Sequence, residues 1–329
     1  MTATSNHQRT ALVTGANSGL GFEAARQLAD LGYESIVLAC RTEAKARTAR
    51  QELVEATGVD PFSTLAVDVA EIGSSQAAAQ ELIDRGVGFD SVLLNAGMVP
   101  NDLDRTSDGI EMAFAASLIG HHIITEALLD AELVNEGGVV VLVGSEAAND
   151  DLPKAMGMGV YDFVRGESSD FGATPAEAME NFARSEGGPG YDGNRQYAST
   201  KAFSAWWSAA MARRHPGPVR FYTVSPGANM GTNAARHTTG AFKIMLAVMR
   251  RVGRYIGMDQ PIDKGAGRYI DVLHGDGGPY ENGGTYTSRP KKMTGPLVLS
   301  TPPHLVDTDR QETALGVLDK LTLSHSEAS

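Results

Sequence analysis

Short apolar runs alternate along the chain with longer segments in which apolar residues recur every three or four positions. The runs have the length and composition of buried β-strands, and the longer segments have the spacing of helices that pack one face on a sheet. The runs interpreted as strands are 10–14, 35–39, 64–67, 91–94, 139–143, 219–224 and 283–288. Such alternation predicts an α/β fold with a doubly wound parallel sheet. Because no linker interrupts it, we expect one domain, although 329 residues alone would suggest about two.

The first strand continues into a glycine-rich turn and then into a helix. A turn of this kind lets the backbone approach a pyrophosphate, which the free N–H groups at the start of the helix then bind, as in a Rossmann-type domain. The spacing G-x-x-x-G-x-G differs from the common dinucleotide fingerprint, so a purely structural turn stays open as an alternative. The residues predicted to contact a dinucleotide here are Gly15, Asn17, Ser18, Gly19, Leu20 and Gly21.

The end of the second strand indicates which dinucleotide is bound. In the common fingerprint an acidic residue at this point binds the adenine ribose of NAD. Here the strand ends at Arg41, and no carboxylate occurs before Glu43. Because a guanidinium pairs with a 2′-phosphate, we expect NADP(H), the alternative being an ordinary surface arginine. Asp68 and Val69 follow the third strand, where Asp68 is expected either to bond the adenine amino group or to cap the next helix.

Small and polar residues follow the fourth and fifth strands, at the edge where parallel sheets bind ligands. Asn95, Ala96 and Gly97 leave room for a cofactor ribose, and the Asn95 amide can hold backbone across the sheet. Ser145 follows the fifth strand, where its hydroxyl can hydrogen-bond a substrate carbonyl. These residues are therefore candidates for the cofactor and substrate site.

Tyr197 and Lys201 lie four residues apart on a predicted helix, and therefore on one face of it. A phenol titrates near pH ~10, so it needs a lowered pKa to act as an acid–base group at neutral pH. A nearby ammonium favours the phenolate, and we expect Lys201 to lower the pKa of Tyr197. By itself the pair is also typical of a solvated helix face. The other motifs of the chain favour a catalytic role for it.

Three segments fall outside the regular alternation. Residues 146–194 are rich in Gly, Asp, Ser and Met, which is typical of a lid or of a disordered insertion. Residues 240–258 are apolar and carry methionines, so they are interpreted as a flap over a greasy substrate or as a helix on a membrane surface. A roomy apolar pocket between these two segments would accept a bulky hydrophobic or polycyclic substrate. Residues 291–329 are expected to form a tail that is partly ordered at best.

Composition narrows the choice of partners and location. The net charge of −12 disfavours nucleic acid or an anionic membrane as a partner, although a helix terminus can still bind an anionic cofactor. The single cysteine, Cys40, fits a reducing compartment and a core position. The polar start lacks the apolar centre of a signal peptide, and no apolar run approaches a membrane span of ~20 residues. We expect a cytoplasmic protein with a small-molecule substrate and no metal, with homo-oligomerisation left open.

Taken together, the motifs resemble those of the short-chain dehydrogenase/reductases over residues 9–290. Within that family the segment around Arg41, the run 190–193 and the long interval from Ser145 to Tyr197 look like the retinol dehydrogenase and protochlorophyllide reductase branch. The resemblance implies that Ser145, Tyr197 and Lys201 are the catalytic serine, tyrosine and lysine. It also implies that Pro226 and Gly227 form a cofactor-binding turn after the sixth strand.

Two positions depart from the family. Ser117 stands where the family usually has an asparagine that helps to hold a water of the proton relay. Ser117 could hold that water itself, or a water chain could bypass it, so Ser117 joins the candidate catalytic residues. Protochlorophyllide reductases also carry several cysteines, whereas this chain has Cys40 alone, which argues against light-driven chlorophyll chemistry.

Three functions are compatible with these residues. The favoured one is an NADPH-dependent carbonyl reductase or alcohol dehydrogenase, in which Tyr197 transfers the proton, Lys201 lowers the tyrosine pKa and binds the nicotinamide ribose, and Ser145 orients the carbonyl. The second is reduction of a carbon–carbon double bond, as in the protochlorophyllide branch. The third is a non-catalytic redox sensor that binds NADP(H).

Overall fold

The computed structural model describes residues 8–152, 157–229, 259–275 and 279–323. Its strands are β1 (Thr10–Thr14), β2 (Ser35–Cys40), β3 (Phe62–Ala66), β4 (Phe89–Leu94), β5 (Val134–Val143), β6 (Arg220–Val224), β7 (Thr285–Thr287) and β8 (Val298–Leu299). They form one sheet in the order β3-β2-β1-β4-β5-β6-β7-β8. Strands β1 to β7 pair in parallel, and β8 pairs antiparallel to β7. The predicted doubly wound parallel α/β fold is confirmed.

Helices cover both faces of the sheet. They are α1 (Gly19–Asp30), α2 (Glu43–Thr57), α3 (Ile72–Arg85), α4 (Met112–Phe114), α5 (Gly120–Asp130), α6 (Asp162–Arg165), α7 (Pro175–Arg184), α8 (Gly193–Arg214), α9 (Ile262–His274) and α10 (Thr308–Leu323). Because side chains alternate along a strand, Leu12 of β1 joins the core under α3, α5 and α8, while Val13 joins the core under α1, α2 and α9. Burial on both faces explains why the strands are almost uniformly apolar.

Some predicted boundaries are wrong around the fifth strand. The helix expected over 109–133 begins at Met112 and ends at Asp130, and a π-helical turn, Ala115–Ile119, separates α4 from α5. Strand β5 already begins at Val134, five residues before the predicted start. The two glycines at 137 and 138 concealed this extension, because glycine weakens a strand pattern.

The insertion and the tail are more regular than predicted. Within 146–194 the structure has a short 3₁₀ helix, Glu146–Asn149, together with α6 and α7. Phe163 and Phe182 of this segment are buried in one aromatic cluster with Phe203 of α8. The tail forms β8 and α10, and α10 packs on α7 and α8. The expectation of a tail that is partly ordered at best is therefore wrong for the described residues. The expectation of an irregular insertion is wrong only for its three helices, because the described stretches between them are irregular. The predicted flap 240–258 lies outside the described residues.

Within the described ranges, one helical stretch is long and apolar enough to span a membrane, Met112–Asp130. Most of it is buried between the sheet and the neighbouring helices. It packs here as a core helix, and its apolar composition follows from that burial.

Candidate active site

The turn between β1 and α1 has the geometry that a dinucleotide requires. Gly15 and Gly19 have positive φ values of 66° and 62°, which favour glycine. A Cβ on Gly21 would lie 2.5 Å from the Asn95 amide nitrogen and from the Gly15 carbonyl oxygen, so only glycine fits there. Ser18 caps α1 with an extended backbone and without a side-chain capping bond. The first N–H groups of α1 and the Ser18 hydroxyl are therefore available to a phosphate.

A buried network fixes this turn to the end of β4. The Thr14 hydroxyl oxygen accepts from the backbone nitrogens of Asn95 (2.8 Å) and Ala96 (2.9 Å), and the Asn95 amide donates to the Thr14 carbonyl (3.0 Å). The same hydroxyl lies 3.0 Å from His121 Nε2, and His121 Nδ1 lies 2.9 Å from the Ser117 carbonyl. Because a carbonyl only accepts, the proton is assigned to Nδ1, and Nε2 accepts from Thr14. The predicted role of Asn95 in holding backbone across the sheet is confirmed.

His121 was missed by the sequence reading, since a histidine on an apolar helix gives no motif. Its pKa is lowered to about 4, chiefly by burial, with a smaller contribution from the Lys201 charge in the same direction and an opposing one from the hydrogen bond to the Ser117 carbonyl. His121 is therefore neutral at pH 7. Its two hydrogen bonds link the Thr14 hydroxyl to the Ser117 carbonyl without adding a charge.

Ser117 lies in the π-helical turn, a local geometry that is frequent at functional sites. Its hydroxyl is buried and has no hydrogen-bond partner among the described residues. A Cβ placed on Gly97 would lie 3.4 Å from the Ser117 hydroxyl and 4.0 Å from Lys201 Nζ, so both groups converge on Gly97. The structure thus brings Ser117 next to the predicted catalytic lysine.

Tyr197 and Lys201 lie on the first turns of α8, which the Asp192 side chain caps by accepting from the backbone nitrogens of Asn194 and Arg195. The Ser145 side chain lies beside the Tyr197 phenol and acts to lower its pKa. Lys201 Nζ donates to the Val143 carbonyl at 2.8 Å and lies 5.8 Å from the centre of the Tyr197 ring. The three predicted catalytic side chains therefore meet at the carboxyl end of β5.

The pKa values at this point differ from one sequence prediction. Burial lowers the pKa of Lys201 to about 8. Burial also raises the pKa of Tyr197; the Ser145 side chain acts in the opposite direction, and the Glu146 carboxylate adds to the rise. The prediction of a lowered tyrosine pKa is wrong for this arrangement, because burial of the phenol raises the pKa and Lys201 is not among the groups that shift it; its ammonium donates to the Val143 carbonyl instead.

Arg41 and Asp68 lie side by side at the ends of β2 and β3. Arg41 Nε is 3.2 Å from an Asp68 carboxylate oxygen, and the Arg41 side chain is 59% exposed. Asp68 also accepts from the backbone nitrogen of Ala70. The residue that caps α3 is Glu71, so the capping role proposed for Asp68 is wrong. The buried Val69 contributes its carbonyl, which accepts from the Gly120 nitrogen at 2.9 Å and positions α5.

The turn after β6 completes this edge of the sheet. Gly227 has a φ of +72°, and its backbone nitrogen donates to the Ser225 hydroxyl at 3.1 Å. Pro226 and Gly227 therefore follow β6 at its carboxyl end, and their contact with a cofactor stays a prediction. A groove of about 670 Å³ borders this turn on the α9 side and is lined by charged as well as apolar groups, including Asp259, Lys264 and Arg268. It is not lined by Ser145, Tyr197 or Lys201, so the roomy apolar pocket at those residues stays a prediction.

Comparisons with known proteins agree with this geometry. The family model described as short chain dehydrogenase matches residues 9–161. Retinol dehydrogenase 14 of Mus musculus is 35% identical over 150 residues, which are 43% of this chain and 45% of that protein. The chain thus spans less than half of the length of this relative. Protochlorophyllide reductase of Chlamydomonas reinhardtii is 26% identical over 281 residues, 82% of this chain and 67% of that protein.

A solved structure shows the same fold. The short chain dehydrogenase from Burkholderia cenocepacia J2315 in complex with NADP has a TM-score of 0.57 and 21% identity, covering 84% of this chain and 94% of that one. The resemblance to this family and to its retinol dehydrogenase and protochlorophyllide reductase branch is confirmed by these matches.

Proposed function

We propose that the chain, which resembles the short-chain dehydrogenase/reductases, is a member of that family and an NADPH-dependent oxidoreductase that interconverts a ketone and an alcohol. The observation that carries the proposal is the convergence of Ser145, Tyr197 and the buried Lys201 at the carboxyl end of β5. These groups lie at the same sheet edge as the glycine-rich turn, to which Asn95 and Gly97 connect them. A proton donor and a cofactor cradle are thus neighbours, as hydride transfer with coupled proton transfer requires.

The residues present fit NADP(H). The close approach at Gly21 and the N-terminus of α1 suit the pyrophosphate, and Ala96 and Gly97 leave space for a ribose. Lys201 would bind the nicotinamide ribose, and the turn at Gly227 would contact the nicotinamide end. Arg41 would hold the 2′-phosphate, because its guanidinium is exposed. Its contact with the Asp68 carboxylate is one ion pair, which a phosphate can replace.

NADPH, when bound, supplies the hydride. The Ser145 hydroxyl orients the substrate oxygen, and the Tyr197 phenol donates the proton that turns this oxygen into an alcohol. The raised pKa keeps Tyr197 protonated at neutral pH, which suits the reducing direction. Lys201, with a pKa near 8, can return a proton to Tyr197. The Ser117 hydroxyl, which has no hydrogen-bond partner in the described part of the chain, is suited to hold a relay water in place of the usual asparagine.

A bulky apolar substrate is favoured by the loop after β4. Met98, Val99 and Leu103 expose between 37% and 40% of their surface, although they are large apolar side chains. This loop packs on the start of α8, because a Cβ on Gly193 would lie 2.6 Å from the Pro100 carbonyl oxygen. An apolar rim therefore borders the helix that carries the catalytic tyrosine, and exposed apolar groups together commonly mark a ligand site.

Reduction of a carbon–carbon double bond is the second candidate. It is favoured by the extent of the likeness to the Chlamydomonas reinhardtii protochlorophyllide reductase, which covers much more of this chain than the likeness to the retinol dehydrogenase. A non-catalytic sensor is less favoured, because the serine, tyrosine and lysine are all present and in contact. A cytoplasmic location and a homo-oligomer stay predictions.

The proposal is tested by NADPH oxidation at 340 nm with phenanthrenequinone as a polycyclic probe, all-trans-retinal as a long apolar probe and acetaldehyde as a short one. We expect turnover of one or both apolar probes and none of acetaldehyde. Tyr197→Phe should be inactive, and Tyr33→Phe, which changes a buried tyrosine bonded to Ser91, should keep activity. NADPH binding without turnover of any probe or of a wider ketone panel would favour the sensor.

A further inference from the structure

A buried ion pair lies directly behind the catalytic serine. Glu146 follows Ser145 and is 4% exposed, and Arg268 of α9 is 6% exposed. Arg268 Nη1 lies 3.2 Å from Glu146 Oε1. Neither residue belongs to the cofactor or catalytic motifs, and α9 lies outside the segment matched by the family model.

Hydrogen bonds satisfy both charged groups. Glu146 Oε1 also accepts from the Ser288 backbone nitrogen (3.1 Å) and hydroxyl (2.8 Å), and Oε2 accepts from the Ser225 hydroxyl. Arg268 donates further to the carbonyls of Ser225 (3.1 Å) and Gly295 (2.6 Å) and to the Ser288 hydroxyl (2.9 Å). These hydrogen bonds fix the positions of both side chains. They do not by themselves make the fold more stable than an apolar pair would.

The pair joins the two turns that border the nicotinamide end of the proposed site. On one side Glu146 is covalently attached to Ser145. On the other, Ser225 bonds both Glu146 and the Gly227 nitrogen, and a Cβ on Gly227 would lie 2.8 Å from Arg268 Nη1. A shift of either charged group would therefore move the catalytic serine relative to the cofactor turn.

We propose that Glu146 and Arg268 are positioning residues that fix the distance between Ser145 and the turn at Gly227. The proposal rests on the proposed function for its catalytic consequence. Glu146 is adjacent in sequence to Ser145, whose side chain acts on the Tyr197 phenol, so the ionisation of Tyr197 reports on the charged pair.

Within the described ranges, the groups that act on Tyr197 or lie near it are the Ser145 hydroxyl and the Glu146 carboxylate after β5, Lys201 on α8 and Tyr269 on α9, and Arg268 pairs with Glu146. The Tyr269 hydroxyl is fully buried without a hydrogen-bond partner among the described residues, and its pKa is raised by burial first and then by Tyr197 and Glu146. Removing the negative charge of Glu146 should therefore lower the pKa of Tyr197, because the ammonium of Lys201 and the guanidinium of Arg268 remain.

The test uses the full chain and two charge-removing variants, Glu146→Gln and Arg268→Met. Tyrosine labelled with ¹³C at Cζ reports the ionisation of Tyr197 by NMR in the absence of substrate, and Tyr197→Phe assigns the signal. We expect the Tyr197 pKa to fall in Glu146→Gln and not to fall in Arg268→Met. This opposite response reflects the opposite charge removed, which a purely structural role would not produce.

Kinetics with NADPH and phenanthrenequinone give the second readout. Glu146→Gln should lower kcat at least ~10-fold with little change in KM for the probe, because misplacement of Ser145 affects the transition state more than binding. Arg268→Lys, which keeps the positive charge, should recover part of the kcat that Arg268→Met loses. The control is Arg214→Met, which breaks ion pairs with Glu126 and Asp319 at the far end of α8, about 25 Å from Tyr197 by helix rise. It should change stability and leave the titration as in the wild type.

If Glu146→Gln does not fold, Ser225→Ala and Ser288→Ala each remove one hydrogen bond to Glu146, together with a second bond of the same hydroxyl, and should shift kcat in the same direction by less. An unchanged Tyr197 titration in every folded variant, or shifts of the same sign in Glu146→Gln and Arg268→Met, would overturn the proposal. Absence of turnover in the wild type would contradict the proposed function, and the titration would still decide the role of the pair.

Discussion

Replacement of Lys201 by methionine tests whether this lysine is a buried charge that lowers the free energy of unfolding at neutral pH. Lys201 is 5% exposed, its pKa is lowered by burial from 10.5 to about 8, and its ammonium donates to the Val143 carbonyl. A shift of this size corresponds to about 3 kcal/mol by which burial disfavours the charged lysine. Methionine has a similar length and no charge, so Lys201→Met removes this cost while it leaves the Val143 carbonyl without a donor, which costs about 1–3 kcal/mol.

The sign of the pH dependence follows from the two protonation states. Between pH 8 and 10.5 the unfolded chain holds the Lys201 proton more tightly than the folded protein does, so stability rises with pH in this window. Below pH 8 both states are mainly protonated, and the folded protein bears the full cost. The wild type should therefore gain roughly 2 kcal/mol relative to Lys201→Met between pH 7 and pH 9.5.

Urea unfolding followed by circular dichroism at pH 7, 8.3 and 9.5 measures this difference. At pH 7 the variant should be about as stable as the wild type or more stable, and the difference should move in favour of the wild type as pH rises. Lys320→Met is the matched control, because Lys320 is a 67%-exposed lysine paired with Glu180 on the surface. A stability difference for Lys201→Met that does not change with pH, or that moves the other way, would refute the assignment of Lys201 as a buried charge.

Three further outcomes are expected. Arg41→Ala should weaken NADPH binding about ten- to a hundred-fold, as the loss of a charge-assisted bond predicts, with little effect on NADH; equal wild-type affinity for both cofactors, measured by fluorescence, would contradict the role of Arg41. Tyr197→Phe should lower turnover ~100-fold or more with NADPH binding nearly intact, and full activity would exclude the phenol as proton donor. Deletion of 300–329 should abolish cooperative thermal unfolding, because α10 buries Leu315 and Leu318 and the Trp206 indole donates to the His304 carbonyl; a small change in Tm would show that α10 is dispensable.

Much of the sheet and of the candidate site could be predicted because local sequence determines it. Buried strands need apolar runs, and the turn at Gly15 and Gly21 admits no side chain. Tyr197 and Lys201 share a face of one helix by spacing alone. For the same reason the placement of Asn95 after β4 was predictable, since a parallel sheet brings the carboxyl ends of its strands together.

The remainder depends on contacts between distant segments, which spacing does not reveal. The Glu146–Arg268 pair joins residues 122 positions apart, and the neutral His121 depends on burial. The helix α10 could have been predicted from the sequence, since apolar residues recur at helical spacing at Ala314, Leu315, Leu318 and Leu321. The pKa of Tyr197 could not be predicted from its lysine alone, because desolvation has the larger effect.

The most direct test of the central claim is product analysis with a polycyclic conjugated enone, which offers both a carbonyl and a carbon–carbon double bond, in the presence of NADPH. Products of the wild type and of Tyr197→Phe are separated and identified by mass spectrometry and NMR. The proposed roles of Ser145 and Tyr197 predict the allylic alcohol from the wild type and no product from the variant. A saturated ketone from the wild type would contradict carbonyl reduction and would favour the double-bond reductase.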